Sequence, residues 1–441
     1  MSLKAVFLMS KQNIEFKDSG IPWIGEIPKH WEIKRLKFIL NERKENNKPV
    51  KTDFILSLTN EKGVIPYSEK GAQGNISKDD ITGYKLAYPN DIILNSMNVV
   101  IGSVGLSSYF GAISPVYYAL YSKENSNIKF YNYVFQTSVF QNSLKGLGNG
   151  ILEIRMRIPM SNLNNVFLPL PPLNEQKEIA EFLDKKCEII DKRLENLERK
   201  INTLKEYKKS LISECVTKGL NPKNMEFKDS GIPWIGQIPK HWEVIKLKYI
   251  ATRIYKGNGI TKEQVFENGD TPCVRYGEIY TKYNYSFDEC FSYTFEKVLN
   301  STSYFGYGDI LFTCTGELIE EIGKNVVYLG HKKCLAGGDI IILNHKQNPS
   351  FLNYALDCNY ARNQKSYGKA KLKVVHISSR EISNLFVVLP PLNEQKEIAE
   401  FLDKKCKKID RLNENYTKQI TALKEYKKSL IYECVTGKKE I

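Results

Sequence analysis

No apolar run reaches about 18 residues, the length a transmembrane helix needs, anywhere in the 441 residues. The patch Val6–Met9 is too short for the apolar region of a signal peptide and has no small-residue cleavage site after it. A cytoplasmic protein that does not engage a membrane is therefore expected. Histidine is scarce, with five residues and no metal-ligand spacing among them. The nine cysteines contain no Cys-x-x-Cys pair and are read as free thiols in a reducing compartment.

Catalytic signatures are also missing. There is no Gly-x-x-x-x-Gly-Lys-Ser/Thr loop for a nucleotide-driven motor. A DNA methyltransferase would need a Gly-rich AdoMet loop after a strand and an Asn/Asp-Pro-Pro-aromatic tetrapeptide. Leu170-Pro171-Pro172-Leu173 has no Asn or Asp, and Gly306-Tyr307-Gly308 lacks a third glycine. Glu317, Glu320, Glu321 and Lys324 lie close together without the partner motif of a nuclease. The expectation is a chain that is not itself an enzyme and holds no metal or cofactor.

What is present is positive charge and repetition. Hydrophobic residues make up 42%, enough for packed cores, and the formal net charge is +14. Such an excess favours a polyanionic partner, nucleic acid first and an acidic membrane second. The charge is spread along the chain rather than held in a tail. Folding must gather any basic face.

The chain is written twice. FKDSGIPWIGEIPKHWEIKRLKFI (Phe16–Ile39) returns as FKDSGIPWIGQIPKHWEVIKLKYI (Phe227–Ile250). PPLNEQKEIAEFLDKKC (Pro171–Cys187) returns unchanged as Pro390–Cys406, and KEYKKSLISECVT (Lys205–Thr217) as Lys424–Thr436 with one change. The blocks between, 40–165 and 251–384, barely resemble each other. Two long copies are too few for a solenoid. They imply a pseudo-twofold protein with a duplicated framework and two different inserts.

All four tryptophans fall in the first repeat, at 23, 31, 234 and 242, among prolines at 22, 28, 233 and 239. Proline excludes a continuous helix there, so the segment reads as an extended strap pinned by indoles, with a partner-protein surface as the alternative. After it, each block shows short β-type runs: Leu86–Tyr88, Asp91–Leu94 and Val116–Tyr121 in the first, Asp309–Phe312, Asn325–Tyr328 and Asp339–Leu343 in the second. Helical stretches are expected at Lys129–Leu144 and Pro349–Gln364.

The last repeats are helical. Asn174 after Pro171-Pro172 reads as an N-cap with Glu175 and Glu178 in the first turn, and Gly219 and Gly437 read as stops. Apolar residues recur every seven positions: Leu183, Ile190, Leu197, Leu204 and Leu211, then Leu402, Ile409, Tyr416, Leu423 and Leu430. Beside them run Ala180, Cys187, Leu194, Ile201 and Lys208, and Ala399, Cys406, Asn413, Ile420 and Lys427. Such narrow seams suit one helical partner each. The two helices pairing antiparallel within the chain is the simplest arrangement, and coiled-coil dimerisation between chains is the alternative.

The expected fold is thus α+β: two mixed α/β domains separated by two long helices that form an antiparallel coiled coil. The boundaries are 1–165 (strap 16–39, block 40–165), 166–220 for the central helix, 221–384 (strap 227–250, block 251–384), and 385–441 for the C-terminal helix.

Each block ends in a basic, glycine-containing stretch, Leu144–Ile158 and Ala361–Ile377. Flexible glycines beside Lys and Arg suit phosphate contact, although a solvated charged face is the plain alternative. The candidate DNA contacts are Lys145, Asn149, Arg155 and Arg157, then Arg362, Lys365, Lys369, Lys371 and Lys373, with Arg275 from within the second block.

These motifs resemble type I restriction–modification specificity subunits. The resemblance rests on LPLPPLNEQKEIAEFLDKK, on DSGIPWIGEIPKHW, and on the two-block layout. Tyr88–Leu120 and Tyr307–Lys324 are similar to strand-rich stretches of that family's target recognition domains. The resemblance implies a bipartite site on double-stranded DNA, one half read by each domain, with the helices setting the spacing. It also implies two modification subunits, which carry the methyltransferase and dock on the helices, and restriction subunits that translocate and cut. AdoMet, ATP and Mg would then sit on those partners. The rival readings are a fused restriction–methylation polypeptide and a coiled-coil adaptor with no nucleic-acid role.

Overall fold

Runs of alternating and β-branched residues in the first block pair into a small antiparallel sheet, in the order Leu40–Arg43, Tyr117–Ser122, Ile92–Asn95, Val104–Leu106. This is a computed structural model, and it describes residues 15–60, 62–71, 80–148, 157–316, 318–369 and 375–441. In the second block a five-stranded sheet runs Ala251–Lys256, Ile340–His345, Ile310–Thr313, Asn325–Tyr328, Ser286–Phe287, with only the last pairing parallel. A second sheet of four strands lies beside it: Ser292–Thr294, Thr271–Val274, Cys334–Ala336 and Tyr304–Phe305. Every strand read from the sequence is found within a residue or two of its expected place.

The two expected helical stretches are each broken once. In the first, Thr137 adopts an extended conformation (φ −73°, ψ 132°), and its hydroxyl accepts from Phe140 N at 3.4 Å. This ends Ile128–Gln136 and caps Ser138–Ser143. In the second, Cys358 separates Pro349–Asp357 from Asn359–Ser366. Asn127 and Asn348 cap the leading helices by accepting from Phe130 N and Phe351 N.

The long helices run from Leu173 to Lys218 and from Leu392 to Val435. Asn174 is not the N-cap. The helix already starts at Leu173, and Pro172 O accepts from Gln176 N. The buried glutamine two residues on ties this end down instead. Gln176 accepts from Asn127 N at 2.8 Å and donates to Pro171 O at 2.8 Å. Gln395 does the same with Asn348 N and Pro390 O. Both helices stop at glycine in the left-handed region, Gly219 at φ +77° and Gly437 at φ +71°. A Cβ on Gly437 would lie 2.4 Å from Pro28 Cδ, so the strap packs directly on that helix end.

The straps are extended, as their prolines require. In the first, Phe16–Asp18 pairs with Glu26–Pro28, and Glu32–Arg35 pairs with Phe167–Leu170. Trp31 and Trp242 are buried, while Trp23 is half-buried against Phe140 and Trp234 is exposed.

The described residues of Met1–Leu197 with Lys418–Ile441 form one unit, and Glu198–Thr417 form the other. Each holds one strap, one variable block and a stretch of both helices. In each unit the two stretches run antiparallel, so the seam is filled by the same chain. In the first, Lys427 Nζ meets the Asp191 carboxylate at 2.6 and 2.7 Å; in the second, Lys208 Nζ meets Asp410 at 2.6 and 2.8 Å. Leu183, Ile190, Leu197, Leu402, Ile409 and Leu430 are buried. Leu204, Leu211, Tyr416 and Leu423 are only half-buried. Toward the C-terminal ends the second column continues to the buried Cys215 and Cys434, and Ile212, Val216, Ile431 and Val435, outside the two columns, are buried in the same cores as Trp242 and Trp31. All nine cysteines are buried free thiols. Among the described residues no helix is long and apolar enough to cross a membrane.

Candidate nucleic-acid interface

The end of each basic stretch is bonded to the connection that leaves a central strand. In the first block, strand Ile92–Asn95 runs into a loop whose Ser96 O accepts from Ile158 N at 3.0 Å. Tyr118 OH donates to Ile158 O from below. In the second block, strand Ile310–Thr313 runs into a loop whose Cys314 O accepts from Ile377 N at 2.8 Å. There Thr315–Gly316 also pairs antiparallel with Val375–His376. Two blocks with little common sequence therefore bring the same two segments together.

Both loops carry an apolar side chain into solvent. Ile101 is 60% exposed and Leu318 is 52% exposed. Val99–Ile101 is a short 3-10 turn that stops at Gly102 (φ +94°), which lifts Ile101 off the sheet while Val99 stays buried. Below each loop lies a cleft. The first, about 290 Å³, is lined with polar groups that include Asn60, Tyr67, Asn98, Ser103 and Ser114. The side-chain amides of Asn60 and Asn98 have no partner among the described residues. The second cleft, about 630 Å³, is lined by Tyr276, Tyr280, Thr315, Lys324, Asp357 and Arg362 among others. Burial lowers the Lys324 pKa.

The candidate contacts divide sharply. Lys145 is exposed in the turn after Ser138–Ser143, and Arg157 is exposed one residue before Ile158. Asn149, Arg155, Lys371 and Lys373 lie outside the described residues. Arg275 is half-buried, with Nε 3.8 Å from Glu278 Oε1. Arg362 is turned inward, donating to Asp357 O at 2.8 Å and Asp357 Oδ2 at 3.0 Å. Lys369 donates to His376 O at 2.7 Å and pairs with Glu381.

Lys365 corrects the expectation outright. Helix Asn359–Ser366 buries one face, carrying Tyr360, Ala361 and Lys365, and leaves the lysine 2% exposed. Its ammonium donates to Gly323 O and Asn325 Oδ1, both at 2.7 Å, and burial pulls its pKa down to about 7. It offers a phosphate nothing.

The sequence reading missed both loops. Ile101 and Leu318 look like core residues in a linear sequence; at Ile101 the signal was an apolar run, Val99–Ile101, ending on Gly102, and Leu318 offered none.

A model of the type I restriction modification DNA specificity domain matches residues 28–206 and 239–422. The chain belongs to this family. Both matched stretches of the specificity domain begin within a strap and end inside a long helix, so each takes in one variable block. The specificity subunit of the type I restriction enzyme MjaVIII from Methanocaldococcus jannaschii is 26% identical over 434 residues, covering 93% of each chain. That of EcoKI from Escherichia coli is 23% identical over 307 residues, covering 68% of this chain and 63% of its own. A chain from a structural study of complex assembly and conformational transition of the type I R-M system aligns with a TM-score of 0.70 at 15% identity. The alignment covers 93% of this chain and 98% of that one. The HsdS subunit from Thermoanaerobacter tengcongensis aligns with a TM-score of 0.53 at 16% identity over the same shares. Both structures share the fold described above.

Proposed function

We propose that this chain is the non-catalytic DNA-reading subunit of a type I restriction–modification complex, each variable block reading one half of a bipartite site. One observation carries the reading. Two dissimilar domains are built on a duplicated framework, and in each the end of the basic stretch is bonded to the loop that leaves its central strand. Dissimilar inserts suit two different half-sites, and a duplicated framework suits a partner present twice. Modification subunits fill that role, docking on the repeated helices, and restriction subunits complete the assembly. AdoMet, ATP and Mg belong to those partners. The long helices hold the two half-sites at a fixed separation.

The test is binding by the chain assembled with its modification subunits. At raised salt, where phosphate contacts weaken, one sequence should be preferred over scrambled DNA. The purified chain alone should show no methylation, cleavage or ATPase activity. Binding without sequence preference would leave the adaptor reading standing. Activity that copurifies with the lone chain would favour a fused enzyme.

A further inference from the structure

The clefts and the basic stretches leave one feature unexplained: the apolar tips. An isoleucine and a leucine stand in solvent at matching places in two domains that otherwise share little sequence. Packing does not require them there, since Val99 and Ile322 already fill the cores beneath the two loops. Solubility disfavours them. Their surroundings are polar and charged: Arg157 lies exposed one residue from the Ser96 bond in the first domain, and the second cleft is lined by Tyr280, Thr315, Glu321 and Lys324, with Arg362 paired to Asp357. A polar surface with an exposed aliphatic side chain at its tip is complementary to the DNA major groove. Along the base edges that groove presents donors, acceptors and one apolar group, the 5-methyl of thymine.

We propose that Ile101 and Leu318 are specificity-determining residues, each reading a thymine methyl in the half-site of its own domain. This rests on the DNA-reading function proposed above. Asn98, next to the Ile101 turn with its amide unpaired, fits an adjoining adenine, whose N6 and N7 match a carboxamide.

The experiment removes the methyl and the tip in turn. Once the recognised sequence is mapped, the assembled complex is titrated with duplexes in which each thymine is replaced by deoxyuridine. At one position of the first half-site the substitution should weaken binding about fourfold, the worth of one buried methyl. Ile101→Ala should bind thymine and deoxyuridine equally at that position and keep its discrimination in the second half-site. Leu318→Ala should show the converse. Both side chains are exposed, so neither variant threatens folding, and Ile101→Val provides a milder check. The proposal is overturned if the variants discriminate thymine from deoxyuridine as the parent does, or if no substitution in either half-site affects the parent. A parent complex with no sequence preference would instead overturn the DNA-reading function itself.

Discussion

The indole N–H of Trp31 donates to Glu175 Oε2 at 2.8 Å, and the other oxygen of that carboxylate lies 2.8 Å from His30 Nε2. The second half repeats the arrangement, with Trp242 to Glu394 at 3.0 Å and His241 at 2.7 Å. One carboxylate in the first turn of a long helix thus holds the strap, where the helix dipole also favours it. Glu175→Ala leaves a buried indole N–H without a partner and should cost about 1–3 kcal/mol. Glu394→Ala should cost a similar amount, and the glutamine variants less, since they keep an acceptor. Denaturant unfolding of the four variants checks this. Alanine variants as stable as the parent would show that the strap is held by packing alone.

Lys208 sits in the helix seam with its side chain 11% exposed, between Asp410 and the ring of Tyr285 at 4.6 Å. Lys427, its counterpart, is 28% exposed beside Asp191. Stranding the more buried ammonium costs more. Asp410→Ala should therefore destabilise more than Asp191→Ala, by on the order of 1 kcal/mol, while Lys208→Met should be close to neutral. Equal losses in the two aspartate variants would contradict this ranking.

Lys365 predicts a pH dependence. Its folded pKa is pulled down to about 7 by burial, while the unfolded value is about 10.4. Below pH 7 both states carry the proton and the cost of burying the charge is fully present. Above it the folded state sheds a proton that the unfolded chain keeps, so stability rises with pH. The rise between pH 7 and about 8.5 should reach about 2 kcal/mol. At higher pH the buried thiols oppose it. Cys215 and Cys273, pushed up by burial to about 12, keep protons that the unfolded chain begins to lose near 8.5. Unfolding from pH 6 to 8.5 should show the rise in the parent and not in Lys365→Met. Superimposable profiles would exclude titration of Lys365 in that range.

Arg157 is exposed beside the first loop and is expected to face phosphate. Arg157→Gln should weaken binding to all sequences alike and reduce the salt slope by about one charge. Loss confined to the recognised sequence would make it a base reader, and no change would leave it a solvated residue.

Most of the framework was legible because repetition and periodicity are properties of the linear chain. The seven-residue spacing placed Leu183, Ile190, Leu402 and Ile409 in the seam, and alternation with turn signals placed the strands. What failed depended on three-dimensional placement. Lys365 lies in a stretch of basic residues without an intervening acid, yet the helical period turns it to the side of Tyr360 and Ala361 and into the core. The loops at Ile101 and Leu318 were invisible because an exposed apolar residue and a core residue share one letter. The Ser96–Ile158 and Cys314–Ile377 bonds, with the pairing of Thr315–Gly316 and Val375–His376, show that these loops meet the ends of the basic stretches.

The central claim is that each variable block reads its own half of the site. Its most direct test exchanges residues 40–165 for the first block of another family member and maps the methylated positions in a host carrying the complete system. The account predicts a new first half-site, an unchanged second half-site and an unchanged gap between them. A change in both halves, or in neither, in a complex that still methylates DNA would contradict it.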